Sequence, residues 1–168
     1  MSERADALVL FGATGDLAYK KLFPALHALE SRGQLGIPVV GIAREGWTLD
    51  RLCARIRDSL RDAGVADGDE AAERLIASMR YVHGEYTDPA TFDDLAVVLS
   101  DVTMPVFYLA IPPGLFGDVV DALAGHGLTK RSRVVVEKPL GRDLASAEAL
   151  NATLASELHE DQIFRIDH

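Results

Sequence analysis

Apolar and polar positions come in short blocks along this chain. Ala7 to Phe11 is an unbroken apolar run that ends in Gly12. A run this short and this apolar reads as a strand covered on both faces. From Asp16 to about Ser31 the period lengthens. Leu22, Leu26 and Leu29 share one helical face, and Gly33 supplies a stop. The alternation then repeats. Ile37 to Ala43 reads as a second strand, and Leu49, Leu52, Cys53, Ile56 and Leu60 form a helical stripe. After a polar loop from Val65 to Asp69, Glu70 to Met79 is predicted helical and Arg80 to Tyr86 a third strand. Phe92, Leu95, Ala96 and Leu99 give the next helix. Val106 to Ile111 gives a fourth strand, closed by Pro112-Pro113. Phe116, Val119, Val120 and Leu123 repeat the stripe before Gly125 and Gly127. Val134 to Val136 is the most β-prone run and ends in Glu137-Lys138-Pro139. The last helix is predicted from Asp143 to Leu158, with Asp143 as N-cap and Leu144, Ala147, Leu150 and Leu154 facing inward. Gln162 to Ile166 is a sixth, short strand.

Strands separated by helices of crossover length imply parallel βαβ units. The expected class is α/β: a doubly wound, mostly parallel six-stranded Rossmann sheet with helices on both faces and strand order 3-2-1-4-5-6. Residues 1–168 are expected to form one such domain. The 48% apolar and 26% charged content is that of an ordinary globular domain. The formal charge of −9 argues against nucleic acid and anionic membranes as partners, although local cations can still bind an anionic ligand. Cys53 is the only cysteine, and the five histidines show no ligand spacing, so no metal site is expected. Neither a leader pattern nor a membrane-length apolar run is visible, and a cytoplasmic protein is expected.

The candidate chemistry begins where the first strand meets the first helix, at Gly12-Ala13-Thr14-Gly15-Asp16-Leu17-Ala18. Small residues there let the backbone approach a pyrophosphate, while the helix start offers free N–H groups and the positive end of its dipole. Ala18 is expected as the close helix–strand contact. Asp16 is expected to cap the helix or bind backbone more than to touch ligand, because a carboxylate repels phosphate. Where NAD-type folds place an acidic residue after the second strand, this chain has Arg44. A planar, permanently charged guanidinium suits a ribose 2′-phosphate, with the Thr14 hydroxyl as a second donor. NADP is therefore the expected cofactor, and Glu45, which would accept from a free 2′-OH, keeps NAD as the second candidate.

The run GATGDLAYKKLFPAL, Gly12 to Leu26 with Lys21 and Pro24, resembles the first βα turn of glucose-6-phosphate dehydrogenases. Three more segments agree in order: Gly41-Ile42-Ala43-Arg44, then Tyr108-Leu109-Ala110-Ile111-Pro112-Pro113, then Glu137-Lys138-Pro139-Leu140-Gly141. Arg165-Ile166-Asp167-His168 resembles the opening of the family's RIDHYLGKE segment. The resemblance runs along essentially the whole chain but spans only the first part of a full enzyme. Among the departures, Thr14 replaces a common serine, Glu45 a small hydroxyl residue and Leu140 an aromatic. Phe116 stands where some members carry a tyrosine.

The resemblance implies oxidation of glucose 6-phosphate to its lactone, with hydride transfer to NADP and a histidine base. It implies cofactor contacts from Gly12, Ala13, Thr14, Gly15, Asp16, Leu17, Arg44, Ala110, Pro112, Pro113, Glu137 and Lys138. It gives Lys138 a catalytic role and, with His168, contacts to the sugar substrate. It makes Asp167 the carboxylate that orients the base. That base and the substrate domain belong to sequence after His168, so this chain is expected to bind dinucleotide without turnover. The full-length protein is expected to be a homo-oligomer.

Two other readings stay open. One is a different NAD(P)-dependent reductase or epimerase. Its usual Tyr-x-x-x-Lys pair is absent: Tyr19, Tyr81, Tyr86 and Tyr108 are followed four residues on by Phe23, Glu85, Ala90 and Pro112. The other is a stand-alone NAD(P)-binding module without catalysis. The remaining histidines, His27, His83, His126 and His159, read as surface or packing residues.

Overall fold

The computed structural model describes residues 4–137 and 143–166. Its six strands are β1 (Ala7–Phe11), β2 (Val39–Ala43), β3 (Met79–His83), β4 (Pro105–Leu109), β5 (Arg133–Glu137) and β6 (Ile163–Ile166). They form one sheet in the order β3-β2-β1-β4-β5-β6, and every neighbouring pair is parallel. The expected strand order is therefore observed.

Six helices connect the strands: α1 (Phe23–Ser31), α2 (Leu49–Asp62), α3 (Glu70–Ala77), α4 (Pro89–Val98), α5 (Phe116–Gly125) and α6 (Leu144–Glu157). On one face α4, α5 and α6 bury Phe11, Phe92, Phe107, Phe116, Val120 and Leu154. On the other α1, α2 and α3 bury Leu10, Phe23, Leu26, Leu52, Ile56 and Leu75. The first cluster reaches from β3 to β6, whereas the second is centred on β1, β2 and β3. On that second face the outer strands are open. Met104, Val106, Val135 and Phe164 line a broad cleft there.

Several elements differ from the pattern-based reading. The first helix is not uniform, because Ala18–Leu22 is a wide π turn that leads into α1. Pro24 has no N–H to continue an α ladder, and the wide turn lets Phe23 donate to the Ala18 carbonyl instead. The third strand stops at His83, short of the expected Tyr86. Gly84 there passes hard against α4, where an added Cβ would lie 2.2 Å from Thr91 Oγ1. Asp143 caps α6 as expected, in a reciprocal box with Ser146. Leu144, expected inside, is 75% exposed, since α6 buries only Leu150 and Leu154 of its later turns. Leu49 is likewise exposed, one residue after the Thr48 cap of α2.

Candidate functional site

The glycine turn sits at the carboxyl end of β1, beside β4. Gly12 has φ +81°, and a Cβ on it would lie 2.1 Å from the Ala110 carbonyl oxygen. Only glycine permits this approach. On the other side of the turn, a Cβ at Gly41 would meet Leu52 Cδ2 at 2.8 Å and the Ala13 Cβ at 3.0 Å. Glycine at 41 thus lets α2 and Ala13 close over β2. The turn is pinned by Gly15 N–H to Gly12 O at 3.0 Å, and Tyr19 N–H returns to Gly15 O at 3.1 Å. Ala18 is fully buried, as expected of the helix–strand contact.

Among the described residues, no side chain caps the helix that follows the turn. Asp16 departs from its expected capping role. Its side chain is 88% exposed, and its carboxylate lies 3.9 Å from the Arg55 guanidinium. An uncapped helix start with exposed Gly15 and Asp16 leaves its amide groups to an outside acceptor.

At the carboxyl end of β2, Arg44 is exposed to solvent. Thr14, expected as a donor for a 2′-phosphate, here donates its hydroxyl to Glu45 Oε2 at 2.7 Å. That bond holds the Glu45 carboxyl below its usual range, against the opposing effect of burial, with Arg44 a minor contributor. The main chain of the same loop is fixed by Tyr81, whose hydroxyl donates to Glu45 O at 2.6 Å. Beyond it, Arg51 stacks on Trp47 at 4.2 Å and Arg55 stacks on Tyr19 at 4.5 Å. Arg55 Nε is buried with no hydrogen-bond partner among the described residues.

The opposite wall comes from β4 and β5. Leu17, Ala110, Pro112, Pro113 and Glu137 line one cleft of about 330 Å³, floored by the fully buried ring of Phe116. Five residues proposed from three separate segments of the chain thus meet in one place. The cleft opens where the strand order reverses between β1 and β4, which is where doubly wound sheets take ligands. Glu137 accepts from the Tyr108 hydroxyl at 2.5 Å across neighbouring strands. Burial, reinforced by that carboxylate, pushes the Tyr108 phenol well above its usual range. Lys138, Asp167 and His168, which the resemblance assigns to the sugar, lie outside the described residues.

Among the described residues no cluster of three His, Cys, Asp or Glu side chains is placed to hold a metal. Also among them, no helix is long and apolar enough to cross a membrane. His27 pairs with Asp69 at 2.7 Å and His126 with Asp93 at 3.0 Å, both on helix–helix seams away from the cleft. Sequence patterns missed Tyr81 and Tyr86. Tyr86 is 5% exposed, with its hydroxyl against Gly12.

A family model described as glucose-6-phosphate dehydrogenase, NAD binding domain, matches residues 9–168. Glucose-6-phosphate 1-dehydrogenase 1 of Mycobacterium tuberculosis is 43% identical over 164 residues, covering 98% of this chain and 35% of its own length. The Bacillus subtilis glucose-6-phosphate 1-dehydrogenase is 37% identical over 173 residues, covering 96% of this chain and 35% of its own length. The chain therefore spans about a third of these curated relatives. The crystal structure of the Mycobacterium avium enzyme superposes with a TM-score of 0.91 at 43% identity, over 97% of this chain and 36% of that one. A glucose-6-phosphate dehydrogenase solved with its substrate glucose 6-phosphate gives 0.90 at 33% identity, over 100% of this chain and 38% of that one. By sequence and by fold, this chain belongs to the glucose-6-phosphate dehydrogenase family, as its NAD-binding domain.

Proposed function

We propose that this chain is the nucleotide-binding part of an enzyme that oxidises glucose 6-phosphate to its lactone, with NADP as the cofactor. The observation that carries the reading is the meeting of the glycine turn with the β4 and β5 ends in one cleft at the reversal of strand order. Bound nicotinamide would supply the hydride acceptor. Gly12, Ala13, Gly15, Asp16 and Leu17 would present backbone to the pyrophosphate, and Arg44 and Thr14 would face the 2′-phosphate. Ala110, Pro112 and Pro113 would support the nicotinamide half, beside Glu137 and Lys138. Lys138 and His168 would hold the sugar phosphate. Asp167 would orient a histidine base supplied by a substrate domain that follows this chain.

Nucleotide choice rests on two opposed groups. Arg44 favours a 2′-phosphate, whereas the Glu45 carboxylate, held on Thr14, repels one. NADP is preferred by a narrow margin on this reading, and NAD is accepted. Thermal unfolding with each nucleotide is the direct test. A ligand at ~100 times its Kd stabilises by ~2.7 kcal/mol, a shift of roughly 5–10 °C for a domain of this size. NADP⁺ is expected to give that shift at a lower concentration than NAD⁺, and Glu45→Ser is expected to widen the gap by about tenfold. No shift from either nucleotide would overturn the binding assignment. Turnover of glucose 6-phosphate by the 168-residue chain alone would overturn the placing of the base outside it.

A further inference from the structure

The carboxyl ends of β1 and β2 carry the two halves of the nucleotide site, and each has a short backbone bond of its own, Gly15 N–H to Gly12 O at 3.0 Å and Trp47 N–H to Glu45 O at 2.8 Å. Both are also held from the third strand and the loop after it. Tyr86 turns inward after β3, and its ring packs edge-on against Phe11 at 5.7 Å. Gly12 N–H donates to the Tyr86 hydroxyl at 3.1 Å, and that hydroxyl faces Ile42 O at 3.4 Å. Gly12 N–H also donates to Ile42 O at 2.9 Å. One buried phenol, 74 residues along the chain from Gly12, therefore ties the first residue of the glycine turn to the end of β2. Tyr81, on β3 itself, reaches a different point. Its hydroxyl donates to the Glu45 carbonyl at 2.6 Å, across 36 residues. Gly84 N–H adds a bond to Ala43 O at 3.0 Å on the near side of Arg44. The loop that carries Arg44 and Glu45 is thus clamped at Ala43 and at Glu45, and Tyr81 supplies the far clamp.

Building on the proposed nucleotide site, we propose that Tyr81 and Tyr86 are positioning residues with separate tasks. Tyr86 sets the glycine turn that receives the pyrophosphate, and Tyr81 sets the Arg44–Glu45 loop that reads the ribose 2′ position. Neither hydroxyl is asked to touch the nucleotide. The pyrophosphate is common to NADP and NAD, so its positioning residue affects both alike. The 2′ substituent is what distinguishes them, so the residue that positions its reader affects their ratio. Burial raises the Tyr86 phenol to about 12, further above neutral pH than an ordinary tyrosine.

The test is a pair of hydroxyl deletions, Tyr81→Phe and Tyr86→Phe, in the full chain. Each is titrated with NADP⁺ and NAD⁺ by calorimetry, and its fold is monitored by melting without ligand. Loss of one neutral hydrogen bond is expected to weaken binding by about three- to tenfold. Tyr86→Phe should raise both dissociation constants by the same factor, leaving their ratio unchanged. Tyr81→Phe should move the NADP⁺ constant and change the ratio by at least about threefold. Equal effects of the two variants on the ratio, or none, would overturn the division of tasks while leaving the nucleotide site intact. If the unmodified chain bound neither nucleotide, the site itself would fall and this inference with it. Should either phenylalanine variant melt without a cooperative transition, exchange of the Tyr81 and Tyr86 hydroxyl protons in the unmodified chain decides. Slow exchange of both phenol protons supports the clamps, and exchange as fast as that of a free tyrosine overturns them.

Discussion

A methyl group at Gly12 would sit 2.1 Å from the Ala110 carbonyl oxygen, on a backbone held at φ +81°. Both the left-handed conformation and the collision count against any side chain there. Gly12→Ala is expected to cost about 2–4 kcal/mol and to abolish nucleotide binding, because relief of the clash must move the turn or β4. Urea unfolding and nucleotide titration of the variant check this. At Gly15 the nearest atom to an added Cβ is Gly12 O at 3.3 Å, so Gly15→Ala should be far milder in stability. The glycines and Arg44 were legible in the sequence because their chemistry is local: a turn, a strand end, one charge. Tyr81 and Tyr86 were not. Their bonds to Glu45 and Gly12 join positions distant in the chain, and no local period encodes them. Asp16 was misread for a related reason. The partner it found, Arg55, lies on α2, a separate element.

Between elements, carboxylates bind the helices of the α1–α3 layer. Glu30 on α1 accepts from Gly36 N–H and from Arg74 on α3. Asp69 caps α3 and pairs with His27 on α1, while Glu73 takes two bonds from Arg57 on α2. Each of these carboxyls is held below its usual range, chiefly by those hydrogen bonds. A depressed folded value means that stability is present above the unfolded value of about 4 and is lost as pH falls through the folded one. Acidification from pH 7 to 3 should therefore loosen this layer before α5, which hydrogen exchange by segment would show. Uniform loss of protection would refute it. On the other face, Asp143→Ala should remove the α6 cap and lower the urea midpoint without changing the slope of the transition. The helices were readable from apolar spacing and the α6 cap from Asp143 at its start, whereas the Thr48, Asp69 and Asp88 caps of α2, α3 and α4 went unread. The π turn at Ala18–Leu22 also went unread, although Pro24 was the signal that an even ladder could not continue.

Across the whole molecule the two faces of the sheet are unequal. Phe107 on β4 is fully buried under α4 and α5, whereas Phe164 on β6 is 45% exposed on the open side. Phe107→Ala should cost about 3–5 kcal/mol, and Phe164→Ala less than about 1 kcal/mol, in the same urea assay. Comparable losses would mean that the open face is covered in solution. The sheet order followed from strands alternating with crossover-length helices around a first glycine turn, a rule that leaves few topologies. Which face stays open was legible only in part: in β5 the buried Val134 and Val136 alternate with Arg133, Val135 and Glu137, whereas β4 carries apolar residues on both sides.

The central place of β1 has a consequence for how the chain is made. Ala7–Phe11 pairs with β2 on one side and with β4 on the other. The β2 edge is satisfied early in synthesis. The other edge must wait for Pro105–Leu109, on the order of 100 residues later, which at ribosomal rates is roughly 5–20 s. During that interval a nascent chain holds out an apolar, unpaired strand beside the turn that will later receive the nucleotide. A chain stopped before Pro105 is therefore expected to keep that edge open and to aggregate where the 168-residue chain does not.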